Sequence, residues 1–296
     1  MPGSTRAFAT SDVDVGRGWL APPARARRVL GTAAAAAGLA IGVAWVVVAA
    51  LAPVIAPADP FASVAAPLSP PARGHLFGTD DLGRDVLSGV VHGARTSLLV
   101  VSTVTALAAL IGVAVGAVAG SRPGGVDDAL MRATELVQVM PRFFLAAIVI
   151  ALFGAGLDRL IVVLALTSWP ALARVVRAET LSIGRREFVE AARALGATGH
   201  RIVLRHVLPH TLPAATVVIS LNAASVILLE AGLGFVGLGD PRAMSWGYLA
   251  NNAQPFLRVA WWLALFPGVA IALAVLGLNL LGDALNDLLD PRTGSS

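Results

Sequence analysis

The chain contains no cysteine and no lysine, and it carries few charges for its length. The absence of cysteine rules out disulfides and thiolate metal sites. All 22 basic residues are arginine, so there is no lysine to reach nucleotide phosphates from a Walker A loop. Any energy taken from ATP must therefore be supplied by another chain. Charged residues form 14% of the sequence, against about 25% in ordinary soluble domains. No G-x-S-x-G or H-E-x-x-H motif is present, and no carboxylate pair suggests a soluble catalytic cleft.

What remains is apolar: 56% of the residues are hydrophobic and the mean hydropathy is +0.77. The apolar residues fall in runs of about 17–25, the length that crosses a hydrocarbon core about 30 Å thick. Six spans are expected near 30–52, 96–120, 135–153, 160–176, 212–233 and 259–281. The sequence thus predicts an all-α polytopic membrane protein surrounded by lipid. None of the spans has the form of a cleavable signal peptide. The net charge of +4 does not indicate nucleic acid, because the arginines lie between spans and not along a basic groove.

The arginines also set the orientation. With the N-terminus inside, fifteen lie in cytoplasmic segments (Arg6, Arg17, Arg25, Arg27, Arg28, Arg122, Arg132, Arg174, Arg177, Arg185, Arg186, Arg193, Arg201, Arg205 and Arg292). Six lie outside (Arg73, Arg84, Arg95, Arg159, Arg242 and Arg258). This asymmetry predicts an N-in, C-in topology. The expected organisation is a poorly ordered cytoplasmic tail at 1–29, then a first span with an external loop at 30–95. A five-helix core follows at 96–290, with a cytoplasmic loop at 177–211, and a short tail at 291–296.

That cytoplasmic loop is longer and more polar than a simple reversal needs. Residues 187–195, EFVEAARAL, are strong helix formers, and Ala191, Ala192 and Ala194 let another backbone approach. Gly196 ends the helix as glycine does just past a helix terminus. A second basic helix is expected near 200–207, stopped by Leu208-Pro209. The alternative reading is an ordinary solvated surface loop.

Outside, GTDDLGRDVLSGVVHGAR from Gly78 reads as a helix capped by Thr79 or Asp80, resting on the membrane surface or on its neighbours. Asp80, Asp81 and Asp85 are assigned to capping and an internal Asp81–Arg84 or Asp81–Asp85 arrangement on a surface helix, not to a cation site. Arg142 follows Pro141 within a span, where a charge usually faces the protein interior or an aqueous path; the alternative is a snorkelling side chain or a pair with Glu135. Asn222 and Glu230 are the other polar candidates for a pathway. The glycines after Glu230 (Gly232, Gly234, Gly237 and Gly239) suit close helix packing or an outer gate. His206 and His210 are four apart, but Pro209 is expected to break the face that paired metal ligands would need. His75, His92 and His200 complete the histidines, and no metal site is assigned. Asp283, Asp287 and Asp290 are expected to face a partner or the N-terminal tail, not a substrate.

The spacing Glu190-Ala191-Ala192, then Gly196, then Leu208-Pro209 resembles the EAA–G–LP signature of permease subunits of binding-protein-dependent ABC importers. His206 stands where that pattern often has isoleucine. The segments 78–98, 167–197 and 262–292 are similar to the C-type permeases of dipeptide, oligopeptide and nickel importers, in the same order. The resemblance covers nearly everything from about residue 30 onward. It implies a type I ABC-importer permease fold with six transmembrane helices in a bacterial inner membrane. It also implies an importer of short peptides, or of nickel chelates, glutathione or opines.

By the same resemblance, Glu187, Glu190, Ala191, Ala192, Arg193, Gly196, His206, Leu208 and Pro209 couple to an ATPase. Arg142, Asn222 and Glu230 would lie along the translocation pathway. The implied partners are a homologous B-type permease chain, two cytoplasmic ATP-binding subunits and an extracytoplasmic substrate-binding protein. ATP and magnesium would reside on the ATP-binding subunits, with no cofactor on this chain. A self-sufficient secondary transporter would instead need broken, repeated spans and more intramembrane charge.

Overall fold

The computed structural model describes residues 24–289. Helix α1 spans Ala24–Ala50, followed by the short α2, Ala52–Ile55. Most of the expected N-terminal tail, all of the C-terminal one, and Asp290 lie outside the described residues. After an irregular outer segment come α3 (Val86–Ser121), α4 (Gly125–Val139), α5 (Arg142–Phe153) and α6 (Leu157–Ile183). Then follow α7 (Glu187–Ala194), α8 (Gly199–Ile202), a π turn (Val203–Val207) and α9 (Leu208–Phe235). Helices α10 (Trp246–Ala253) and α11 (Trp262–Leu289) complete the described fold.

Among the described residues, five helices are long and apolar enough to cross a membrane, and six crossings result when the bent pair α4–α5 counts as one. That pair turns by 77° at Met140-Pro141. Proline lacks the N–H to continue the ladder and pushes the preceding residue out of helical geometry. The span expected at 135–153 is therefore two helices.

The expected outer surface helix is corrected. Gly78–Asp85 form turns, and α3 starts at Val86, with Asp85 as its cap: its carboxylate accepts from the Ser88 N–H at 2.8 Å. Thr79 instead holds the turn, accepting from the Ser69 N–H and donating to the Ala66 carbonyl. The ion pair in this segment is Asp80–Arg84, not Asp81–Arg84. Val86, Val90 and Val91 are buried inside the protein, because α10 packs over the start of α3. At 36 residues, α3 is about 54 Å long at 1.5 Å per residue, well beyond the hydrocarbon core.

The main packing seam joins α3 to α6. Gly112, Gly116 and Gly120 recur every four residues on α3 and face α6. A Cβ on Gly116 would lie 2.5 Å from the Ala173 carbonyl oxygen and 2.7 Å from the Val176 Cβ. In lipid there is no hydrophobic drive between helices, so this close backbone approach supplies the contact. The outer end is keyed by Trp246, fully buried, whose indole N–H donates to the Val90 carbonyl at 3.0 Å. Gly93 leaves the space that the indole fills, and Gly234 meets Gly247 where α9 crosses α10. Gly234, the buried one of the four glycines named after Glu230, thus serves packing.

The Leu208-Pro209 stop is also corrected. Residues 199–235 run as one continuous helix, with a π turn just before the proline. There the Leu208 N–H reaches back five residues to the Val203 carbonyl. The wider turn relieves the clash that a proline ring meets in a regular α-helix.

Candidate functional site

The polar segment 177–211, expected to face the cytoplasm, is a compact helical corner. Its buried side is one apolar cluster of Ile183 from the end of α6, Val189 from α7, Ile202 from α8 and Val207 from the π turn. Glu187 and Glu190 occupy the first turn of α7 and Arg193 the last, the charge order a helix dipole favours. Gly196 has φ +81°. Its N–H donates to the Arg193 carbonyl at 2.9 Å, and the Ala197 N–H donates to the Ala192 carbonyl at 3.1 Å. These two bonds form a Schellman motif, which closes the helix end and leads the chain back toward α8.

Among the described residues, the opposite side of α7 is covered only at Phe188, which packs beside His210. Glu187, Phe188, Glu190, Ala191 and Arg193 are exposed, Ala192 is half-buried, and Leu195 is 89% exposed at the tip. His206 is half-buried in the π turn, Leu208 packs beside Val176 and Ala215, and Pro209 is exposed. The nine residues singled out from the sequence thus fall on two joined pieces, α7 with its cap and the base of α9. The helical face does continue through Pro209, contrary to expectation, but the His210 Nδ1–H donates to the His206 carbonyl at 2.7 Å. Phe188 packs 5.2 Å from the His210 ring.

The three pathway candidates do not form one site. Arg142 opens α5 just past the bend, and its guanidinium donates to the Asn222 side-chain oxygen at 3.4 Å. Its partner is Asn222, not Glu135. Glu230 lies eight residues further along α9, about 12 Å at 1.5 Å per residue. It is 2% exposed and accepts from the Ser97 hydroxyl of α3 at 3.1 Å. The same hydroxyl accepts from the Trp246 N–H at 3.4 Å, so Glu230 ties α3, α9 and α10 together.

Four further polar constellations escaped the sequence reading. Arg177 of α6 grips Asp127 of α4 with two parallel hydrogen bonds, one of them 2.6 Å. On the outer side, Arg84 is held by Asp80 and by the Tyr248 hydroxyl at 3.2 Å. Burial works against that charge, yet the bonds to Tyr248 and Asp80 keep the Arg84 pKa above its ordinary value. Asp240 is buried between α9 and α10, which opposes its charge. The Arg242 backbone and side chain and the Leu157 N–H nevertheless hold its pKa below the usual aspartate value. His75 bonds the Asp85 cap at 3.1 Å. Arg84 and Tyr248 are 164 residues apart and Asp127 and Arg177 are 50 apart, separations that no local pattern signals.

Comparison with known proteins agrees with this architecture. Residues 112–295 match the profile of the family described as binding-protein-dependent transport system inner membrane component. A Brucella suis biovar 1 protein, provisionally named a peptide transport system permease protein, is 39% identical over 269 residues, 90% of each chain. The dipeptide transport system permease protein of Bacillus subtilis (strain 168) is 40% identical over 225 residues, 75% of this chain and 70% of that one. Among solved structures, the inward-facing MetNI methionine ABC transporter aligns with a TM-score of 0.58 and 22% identity, covering 68% of this chain and 96% of that one. At that identity the likeness concerns the fold. The chain therefore belongs to the family of binding-protein-dependent transport system inner membrane components: it is the permease component of an ABC importer, and ATP hydrolysis belongs to its partner subunits.

Proposed function

We propose that this chain forms half of the translocation channel of an importer of short peptides. Its companions are one homologous B-type permease chain, two cytoplasmic ATP-binding subunits and an extracytoplasmic substrate-binding protein. ATP and magnesium are held by the ATP-binding subunits, and this chain holds no cofactor. The observation that carries the coupling role is α7: one residue, Val189, is buried, while Glu187, Glu190, Ala191, Arg193 and the following Leu195 are exposed. The peptide cargo rests on the relatives named for peptide and dipeptide transport, at about 40% identity.

In this reading α7 seats in a cleft of an ATP-binding subunit. Glu187, Glu190 and Arg193 supply ion pairs and hydrogen bonds, Ala191 and Ala192 allow close approach, and Leu195 buries on docking. The Schellman cap at Gly196 and the π turn beneath His206, Leu208 and Pro209 keep the helix rigid against α9. ATP on the partner shifts the permease between inward- and outward-facing states only by favouring one state over the other, and α7 is where that preference enters this chain. Arg142 and Asn222 line the pathway, where the guanidinium meets a peptide carboxylate. Glu230, enclosed by Ser97 and Trp246, supports the outer end of the pathway from behind.

The test is reconstitution of the full complex in proteoliposomes with binding protein loaded in turn with dipeptide, longer peptide, glutathione, an opine or a nickel chelate. Dipeptide or short peptide should be the cargo that stimulates ATP hydrolysis and accumulates. Stimulation by one of the other solutes alone would reassign the cargo while leaving the importer assignment intact.

A further inference from the structure

We infer that the Asp127–Arg177 ion pair is a transmission link, carrying movement of the ATPase-facing corner to the bent pair α4–α5. The inference rests on the coupling role proposed for α7. Arg177 lies six residues before Ile183, and Ile183 packs directly on Val189 of α7. The end of α6 and α7 are further joined by the hydrogen bond from the N–H of Arg186, the N-cap of α7, to the Ile183 carbonyl at 3.0 Å. A push on α7 therefore reaches Arg177 through continuous helix and packed side chains.

On the other side of the pair, α4 is loosely held. Only Asp127 and Thr134 are buried along it, and the Thr134 hydroxyl is spent on the Leu130 carbonyl of the same helix. Val126, Leu136 and Val139 are exposed, and Val137 packs partly against Ala108, Trp169 and Ala173. The Asp127 side chain is 7% exposed and the Arg177 side chain 33%, so the carboxylate is covered while the guanidinium arm is partly open. The paired, planar fork fixes orientation as well as distance, which a single point charge cannot do. Helix α4 then runs to the 77° bend, beyond which Arg142 contacts Asn222. The pair thus lies on a packed route from the docking helix through α6 and α4 to the bend, beside a second one that runs from Val207 along α9 to Asn222.

The experiment measures solute imported per ATP hydrolysed in the reconstituted complex. It compares wild type, Gly196→Pro, Asp127→Asn, Arg177→Lys and the charge exchange Asp127→Arg with Arg177→Asp. Asp127→Asn should lower that ratio about ten-fold, within the usual range of coupling between sites, while ATP hydrolysis persists. Arg177→Lys should lower it less, and the charge exchange should restore much of it. An Asp127→Asn complex that assembles and couples as wild type overturns the inference. So does a failure of Asp127→Asn to assemble combined with normal coupling in Arg177→Lys, because the pair would then serve assembly alone. If wild type itself shows no ATP-driven uptake, or Gly196→Pro couples normally, it is the α7 reading that fails.

Discussion

Replacement of Gly196 separates backbone conformation from packing, because a Cβ there would meet no atom within 4 Å. The residue adopts φ +81°, a left-handed geometry that costs a non-glycine residue roughly 1–2 kcal/mol. Gly196→Ala should therefore destabilise the capped end of α7 by about that amount and introduce no clash. Gly196→Asn should cost less, since asparagine visits this region more readily. Gly196→Pro should cost most, because it also removes the N–H that donates to Arg193 and fixes φ near −65°. One to two kcal/mol is a factor of about 5–30 in an equilibrium. If the capped conformation is the one that docks, apparent affinity for the ATP-binding subunits falls by up to that factor. Titration of the permease pair with purified ATP-binding subunits, followed by uptake per ATP hydrolysed, gives both quantities. The expected order of affinity is Gly, Asn, Ala, Pro. Equal affinity of the Ala and Gly proteins, or a weaker Asn than Ala protein, would refute the link between the cap and docking.

Other expectations follow from the same geometry. Gly116→Val should force α3 and α6 apart and lower the thermal unfolding midpoint, with an overpacking cost of about 1–3 kcal/mol. Gly125→Ala, where a Cβ meets nothing within 4 Å, should leave the midpoint unchanged. Arg142→Ala should reduce uptake of solutes bearing a free carboxylate while leaving assembly intact, and unchanged uptake would favour a snorkelling side chain. Asp240 has a folded-state pKa below its ordinary value. Its stabilisation is fully present above the unfolded value of about 3.9 and is lost as pH falls through the lower folded value. Asp240→Asn should therefore flatten the acid side of the stability profile, which a pH series of melting curves would record.

The parts of the fold readable in the sequence are those with local causes. Apolar run length gave the crossings, and helix formers followed by a glycine gave α7 and its cap almost to the residue. The parts that were not readable depend on distant partners. The start of α3 moved from Thr79 or Asp80 to Val86 because α10 and Trp246 bury its first turns. Pro209 failed to stop the helix because a π turn absorbs it, a geometry with no composition signal. The reverse happened at Pro141: its breaking tendency was plain, but continuous hydropathy across 135–153 concealed the bend. Asp127 and Arg177 are 50 residues apart and Ser97 and Glu230 are 133 apart, so neither pair could be found by spacing. The Gly112–Gly116–Gly120 stripe was not singled out in the sequence, and the fold identifies α6 as its partner.

The central claim is that this permease moves a short peptide using ATP hydrolysed on other chains. Its most direct test is dipeptide accumulation in proteoliposomes containing both permease chains, the ATP-binding subunits and the loaded binding protein. Accumulation should require ATP on the side of the ATP-binding subunits and should stop when those subunits are omitted. Uptake that persists without them, driven by an ion gradient or by ATP with this chain alone, would contradict the account.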